Sequence, residues 1–158
     1  MYREGNFKIG NFMKVFLLII IFLFSLPAST VELKPLSNVL EKRNLEDPTT
    51  MLYLLQRCSG LYATGWDHII DQNPEAAEKL LYSSKKFIVH ATKFFKGAEN
   101  FTQNELLKEM HAASEKFQKF YTDLFTENWY ENGSYFEGTW IEEDLEMCGI
   151  MNSSLADF

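Results

Sequence analysis

Two cysteines are the residues of this sequence whose chemistry is easiest to predict. Cys58 and Cys148 are the only two in the chain, and each falls on the apolar side of a predicted helix. Thiols in such positions pair when the compartment is oxidising. The bond would close a loop of about 90 residues, which corresponds to roughly 4–5 kcal/mol at most on the chain-entropy model. The sequence therefore predicts one disulfide; the alternatives are two separate buried thiols or a reactive thiol activated by Arg57.

The histidines and serines form no pattern that is typical of an active site. His111 and Glu115 lie one helical turn apart, but two ligands do not complete a metal site. In the triplet Trp66-Asp67-His68, adjacent helical residues point about 100° apart, so Asp67 would orient the neighbouring imidazole poorly for acid–base work. The serines lack the flanking glycines of a nucleophile elbow. We therefore predict a protein that is not an enzyme and that has no metal or cofactor.

An acidic cluster occupies the last predicted helix. It consists of Glu142, Glu143, Asp144 and Glu146. Their spacing, without a turning glycine, does not match a calcium-binding loop. Acidic side chains are also favoured near helix N-termini, where they interact with the helix dipole. The cluster is therefore expected either to stabilise the helix start or to form a docking face for a basic protein partner.

The charge of the chain excludes one class of partner. The net charge is −7, and residues 1–30 contain three of the 15 basic residues and one of the 22 acidic residues. The remaining residues therefore carry a net charge of −9. A domain this acidic repels phosphate backbones, so we predict no nucleic-acid partner.

Aromatic residues crowd the connection before the last predicted helix. Trp129, Phe136 and Trp140 occur there together with two tyrosines. Such a group either covers the core or lines the mouth of a pocket. On the second interpretation these three residues would form a lid, and the phenylalanine-rich interior would open around an apolar small molecule.

The N-terminal segment predicts export. Val15–Phe24 is an unbroken apolar run, preceded by Lys8 and Lys14 and followed by the sequence PAST at residues 27–30. A basic start, a short apolar stretch and a small polar exit are typical of a secretory signal peptide, which we expect over residues 1–30. The run is shorter than the ~20 residues that a transmembrane helix requires. We predict a periplasmic or secreted protein; the alternative is an N-terminal anchor in the inner membrane, as the only membrane contact.

Four start signals divide the rest of the chain into helices. Each signal begins with a capping residue just before the helix. This residue is followed either by proline at the first helical position or by glutamate three residues later. The signals are Asp47-Pro48, Asn73-Pro74, Thr102 with Glu105, and Thr139 with Glu142. Residues 31–46 are polar and aperiodic and predict a linker, whereas residues 153–158 predict a disordered tail. The predicted fold is therefore all-α, a small antiparallel bundle of about four helices over residues 47–152.

The segment around the first cysteine resembles part of a known group of proteins. The run Tyr53–Tyr62, with the sequence YLLQRCSGLY, is similar to a segment of short uncharacterised exported helical proteins of marine bacteria. Those proteins combine an Arg-Cys pair in a helix with a second cysteine late in the chain, as Arg57, Cys58 and Cys148 do here. The resemblance implies a periplasmic helical protein, and it implies no activity or site.

These features together predict an exported, non-enzymatic binding or envelope-accessory protein. One alternative is a small carrier of apolar ligands, and another is an N-terminally membrane-anchored interaction module. A carrier would use the aromatic group, whereas an interaction module would use the acidic docking face.

Overall fold

Helices joined by short connections make up the part of the chain that the structure describes. The computed structural model describes residues 33–95 and 101–157, and no strand occurs in these two ranges. The predicted signal peptide lies outside the described residues. The helices are α1 (Leu36–Leu40), α2 (Pro48–Ile69), α3 (Pro74–Phe94), α4 (Gln103–Asn132) and α5 (Trp140–Ser154). None of these described helices combines the length and the apolarity needed to cross a bilayer. The all-α class is confirmed, with five helices packed together in the described ranges rather than about four.

Side-chain caps set the starts of α2 and α3. The Asp47 carboxylate accepts a hydrogen bond from the N–H of Thr49 at 3.1 Å, and Pro48 is the first helical residue. The Asn73 side chain accepts in the same way from the N–H of Ala76 at 3.1 Å, and again a proline follows. Each cap satisfies an amide that has no partner inside the helix. Both starts were therefore predictable from the local sequence.

The starts of α4 and α5 differ in how their caps are formed. Thr102 and Glu105 form the reciprocal capping box that the sequence predicts. At α5 the Thr139 side chain accepts from the amide two residues further on, and the Glu142 carboxylate accepts from the N–H of Gly138 at 3.1 Å. Gly138 has a φ of 73°, a conformation that glycine adopts without a steric penalty. The second capping box is thus replaced by other hydrogen bonds, although the helix begins where the sequence predicts.

Helix α2 contacts both α3 and α4 and holds the other two long helices together. At Gly60 a Cβ atom would lie 2.5 Å from the Cβ of Phe117 on α4, so the close approach of these helices depends on glycine. Beside this contact, the Ser114 hydroxyl donates to the Ser59 hydroxyl at 2.8 Å, and the Ser84 hydroxyl donates to the Ser59 carbonyl at 2.9 Å. Buried hydroxyl groups therefore join the three helices.

A disulfide joins α2 to α5. Cys58 and Cys148 are bonded, with their Cα atoms 5.4 Å apart, and neither residue is exposed to solvent. The predicted pairing is confirmed. A disulfide is compatible with the oxidising, exported location that the sequence predicts.

The segments on either side of the predicted bundle also contribute to it. Within the predicted linker, residues 31–46, helix α1 packs against α5, and Leu36 is fully buried. At the other end α5 continues to Ser154, and an Asp157 carboxylate oxygen lies 3.0 Å from Nζ of Lys86 on α3. The linker and disordered-tail predictions are therefore corrected for the described residues. Single buried or paired side chains hold these segments, and such contacts leave no periodic pattern in the sequence.

Candidate ligand-binding pocket

An apolar pocket lies where α2 meets α3, α4, α5 and the connection between α4 and α5. Its volume is about 270 Å³. Five side chains with rings and four aliphatic side chains line it, together with Gly65. They are Tyr62, His68, Phe125, Tyr135 and Phe136, and Leu61, Ile69, Leu80 and Leu145. Concave, mostly apolar surfaces with few polar groups are the usual form of small-molecule sites.

Helical spacing places one wall of the pocket on α2. Leu61, Gly65 and His68 are four and then three residues apart, so they share one face of the helix. Glycine at this position weakens a helix by about 1 kcal/mol relative to alanine. Its lack of a side chain leaves room for Leu80 on α3, whose Cδ1 would lie 3.1 Å from a Cβ atom on Gly65. The glycine therefore allows α3 to close this side of the pocket.

Hydrogen bonds and ring stacking hold the aromatic wall in place. Helix α4 ends at Gly133, which has a φ of 70° and turns the chain back toward the helix. The Asn128 side-chain amide then donates to the carbonyl of Tyr135 at 3.0 Å. The Tyr135 ring stacks on Trp129 at 4.7 Å and on Phe125 at 5.9 Å between ring centres. The connection that carries Tyr135 is thus fixed against α4.

Tyr62 provides one polar group in this apolar lining. The residue is 8% exposed, and its ring packs 5.6 Å from that of Phe87. Burial raises the pKa of its hydroxyl above the ordinary value of 10.0, so the group stays protonated. This hydroxyl forms no hydrogen bond within residues 33–95 and 101–157. A ligand that enters the pocket can supply a hydrogen-bond partner to this hydroxyl.

His68 provides the second polar group. Its Nδ1 atom lies 2.9 Å from the carbonyl oxygen of Thr64, and because a carbonyl can only accept, Nδ1 must carry the proton. In the neutral ring Nε2 is then an acceptor. The imidazole edges contact the rings of Phe125 at 5.2 Å and Tyr135 at 5.0 Å. His68 is therefore oriented by its own helix and by two rings of the pocket, while Asp67 is exposed to solvent.

The three aromatic residues predicted as a lid occupy different places. Phe136 lines the pocket and is 36% exposed. Trp129 lies behind the wall, stacked on Tyr135. The Trp140 ring is not part of the lining, because it packs with its centre 5.8 Å from the guanidinium of Arg57. The face of α2 that lines the pocket was not among the residues that the sequence predicted as a site.

The predicted acidic docking face requires a correction. Glu142, Glu143 and Glu146 are exposed and line a groove of about 420 Å³ together with Trp140. Asp144 is fully buried and cannot belong to this face. The helical periodicity directs Asp144 away from its acidic neighbours and toward the core, where its carboxylate pairs with a positively charged side chain.

That partner is Arg57, and the resulting buried ion pair lies next to the disulfide. The guanidinium of Arg57 donates to the Asp144 carboxylate and also to the hydroxyls of Tyr121 at 2.8 Å and Tyr53 at 3.0 Å. Asp144 accepts in addition from the N–H of Leu36 at 2.7 Å. The sequence did contain a signal for this pair. Arg57 directly precedes Cys58, and Asp144 lies one helical turn before Cys148. This network joins α1, α2, α4 and α5.

The remaining candidate metal ligands lie apart from the pocket. His111 and Glu115 are both exposed on α4. Within the described ranges, no three His, Cys, Asp or Glu side chains come together in a way that would hold a metal ion.

Comparisons with protein-family models, with curated proteins and with solved structures give no match to this chain. The resemblance to exported proteins of marine bacteria therefore stays a prediction.

Proposed function

We propose that this protein is exported, is not an enzyme, and binds a small apolar ligand in the pocket between α2, α3, α4 and α5. The observation that supports this proposal best is the pocket itself. It combines nine apolar or ring-bearing side chains, no charged residue, and a tyrosine hydroxyl without a partner among the described residues.

The volume limits the size of the ligand. At about 270 Å³ the pocket is smaller than the roughly 300–1,000 Å³ sites of drug-sized ligands. It is larger than the roughly 150 Å³ engineered cavity that binds benzene. A ligand of one ring with a short substituent fits between these limits, and the burial of its apolar surface would supply the affinity.

Two links hold the frame around the pocket together without a ligand. Cys58 and Cys148 tie α2 to α5, and the pairing of Arg57 with Asp144 connects the same two helices. Leu145 of the pocket lies between Asp144 and Cys148 on α5, so both links position it. A preformed site loses little conformational freedom on binding, which favours affinity.

Titration with 4-ethyltoluene, a neutral hydrocarbon with one ring, tests the proposal. Saturable shifts of the amide NMR signals of Leu61–Ile69 are expected. The variant Leu80→Phe, which fills the pocket from α3, should abolish them. Leu107→Phe is the matched control, because Leu107 is also partly buried but does not line the pocket. Absence of saturable shifts, or equal binding by both variants, would overturn the proposed function.

Export is tested by the mass of the protein recovered from outside the cytoplasm. Loss of about 30 N-terminal residues is expected from signal cleavage, together with no thiol labelling before reduction, since both cysteines are paired. A full-length chain with the disulfide formed would support the N-terminally anchored alternative. A full-length chain with both thiols labelled would contradict export.

A second candidate function is the docking of a basic protein partner, as expected of an envelope-accessory module. It is favoured by the exposure of Glu142, Glu143 and Glu146 around one groove and by the net charge of −9 outside residues 1–30. Capture of such a partner should weaken at high salt, because exposed charges are screened. Replacement of all three glutamates by glutamine should also reduce capture. If the partner is captured equally well at high salt and by the triple variant, this face is not the docking site.

A further inference from the structure

We propose that the ligand of the pocket is a neutral phenol: one aromatic ring with a single hydroxyl group that binds to Tyr62. This inference rests on the proposed function and specifies the chemical class of the ligand. Three properties of the pocket support it, namely the absence of charge, the hydroxyl without a partner, and the number of rings in the wall.

The lining excludes charged ligands. No Lys, Arg, Asp or Glu side chain lies among the pocket residues. A carboxylate or an ammonium group would lose its hydration there without gaining an opposite charge, and this desolvation is costly. Burial raises the pKa of the Tyr62 hydroxyl, so this group stays protonated and offers no charge to a ligand. The ligand is therefore uncharged.

The hydroxyl of Tyr62 indicates a polar group on the ligand. Tyr62 is more than nine-tenths buried, yet its hydroxyl has no hydrogen bond within the described residues. On α5, a Cβ atom at Gly149 would lie 3.8 Å from this oxygen, so the glycine leaves this side of the hydroxyl without a side chain. A ligand hydroxyl can donate to or accept from the tyrosine hydroxyl.

His68 favours a donor on the same ligand. Its Nδ1 proton is held by the Thr64 carbonyl, and no hydrogen bond to Nε2 is formed within the residues that the structure describes. A free ring acceptor in an apolar wall binds groups that carry a proton, such as a phenol O–H. A ketone or ether can only accept, as from the Tyr62 hydroxyl, whereas a phenol O–H can also donate to an acceptor such as Nε2 of His68.

The ring content of the wall favours an aromatic ligand. His68, Phe125 and Tyr135 already contact one another edge-on or stacked, with centres 5.0–5.9 Å apart. A further ring can join such a group through the same offset and edge contacts, which contribute beyond simple burial of area. An aliphatic ligand of equal volume would gain only the burial term.

The test is a binding cycle with two probes of similar shape, 4-ethylphenol and 4-ethyltoluene, measured by NMR titration. Tyr62→Phe should lower the affinity for 4-ethylphenol by roughly two- to tenfold, as expected for one neutral hydrogen bond, and should leave 4-ethyltoluene unchanged. Tyr130→Phe is the matched control, because Tyr130 is 84% exposed and loses the same atom outside the pocket. The urea midpoint of Tyr62→Phe should match that of the unmodified protein.

The outcomes separate this inference from the proposed function. If both probes bind but Tyr62→Phe affects them equally, the phenol inference is overturned and the apolar site remains. If 4-ethylbenzoate or 4-ethylbenzylamine binds as tightly as 4-ethylphenol, the requirement for a neutral ligand is overturned. If neither 4-ethyltoluene nor 4-ethylphenol binds, the proposed function fails and the inference fails with it.

Discussion

Removal of the Asp144 carboxylate should destabilise this protein strongly. The carboxylate accepts hydrogen bonds from the Leu36 N–H, the Arg57 guanidinium and the Tyr121 hydroxyl. In the variant Asp144→Ala, Arg57 would remain fully buried without a negative partner. Loss of one member of a buried ion pair costs roughly 3–5 kcal/mol, and the orphaned amide and hydroxyl add to this loss.

This loss is large compared with the whole stability of a domain, which is typically about 5–15 kcal/mol. Urea unfolding followed by far-ultraviolet circular dichroism, with the disulfide intact, measures it directly. A loss near 4 kcal/mol should also lower Tm by roughly 10–20 °C for a domain of this size. Glu146→Ala is the matched control, because this glutamate lies on the same helix but is exposed, and a change within about 0.5 kcal/mol is expected.

A double variant distinguishes an uncompensated charge from a simple packing defect. Replacing Arg57 by Met and Asp144 by Leu together removes both charges and keeps both positions filled by apolar side chains. Hydrophobic replacements of buried ion pairs are often neutral or stabilising. The double variant should therefore lose less unfolding free energy than the single variants Arg57→Met and Asp144→Leu lose together. Strictly additive losses, or a loss below about 1 kcal/mol for Asp144→Ala, would refute the reasoning.

Three further perturbations test the packing, the disulfide and one helix cap. Gly60→Ala should lower the unfolding free energy by roughly 1–3 kcal/mol through overpacking, since its Cβ would lie 2.5 Å from that of Phe117. Gly149→Ala is the control, because its Cβ would have its nearest neighbour at 3.8 Å; urea unfolding should show it to be neutral or stabilising. Reduction of the disulfide, which closes a 90-residue separation, should lower the unfolding free energy by up to about 4–5 kcal/mol; an unchanged urea midpoint with reductant would contradict this. Hydrogen bonds from Thr49 lower the pKa of Asp47 from its ordinary value of 3.8. The ionised carboxylate therefore contributes its full stabilisation above pH 3.8, and this contribution is lost as the pH falls through the lowered pKa. Asp47→Asn, which still caps α2, should therefore unfold with a weaker dependence on pH below about pH 4, and identical acid profiles would argue against a role for this carboxylate.

Helix starts were predictable because the interactions that set them are local. Asp47, Asn73 and Thr102 each accept from a backbone amide two or three residues away, so the relevant partners stand side by side in the sequence. The short helix α1 was not predictable in this way. Leu36 is buried by α5 and donates its N–H to Asp144, 108 residues further along.

The candidate site was predictable only in part for the same reason. The density of aromatic residues before α5 drew attention to Phe136, which lines the pocket. It could not separate Phe136 from Trp140, which packs on Arg57 instead. The two residues are four positions apart, but one precedes the start of α5 and the other lies within it.

By itself the sequence determined an all-α chain, the starts of its long helices and the pairing of its two cysteines, because periodicity, local caps and the cysteine count are sufficient for these. Only the tertiary structure decided that Asp144 belongs to the core and not to an acidic surface, and that Tyr62 and His68 line a pocket with Leu80 and Leu145. Burial and the enclosure of space depend on which distant side chains meet when the helices pack. No local sequence pattern specifies these long-range contacts.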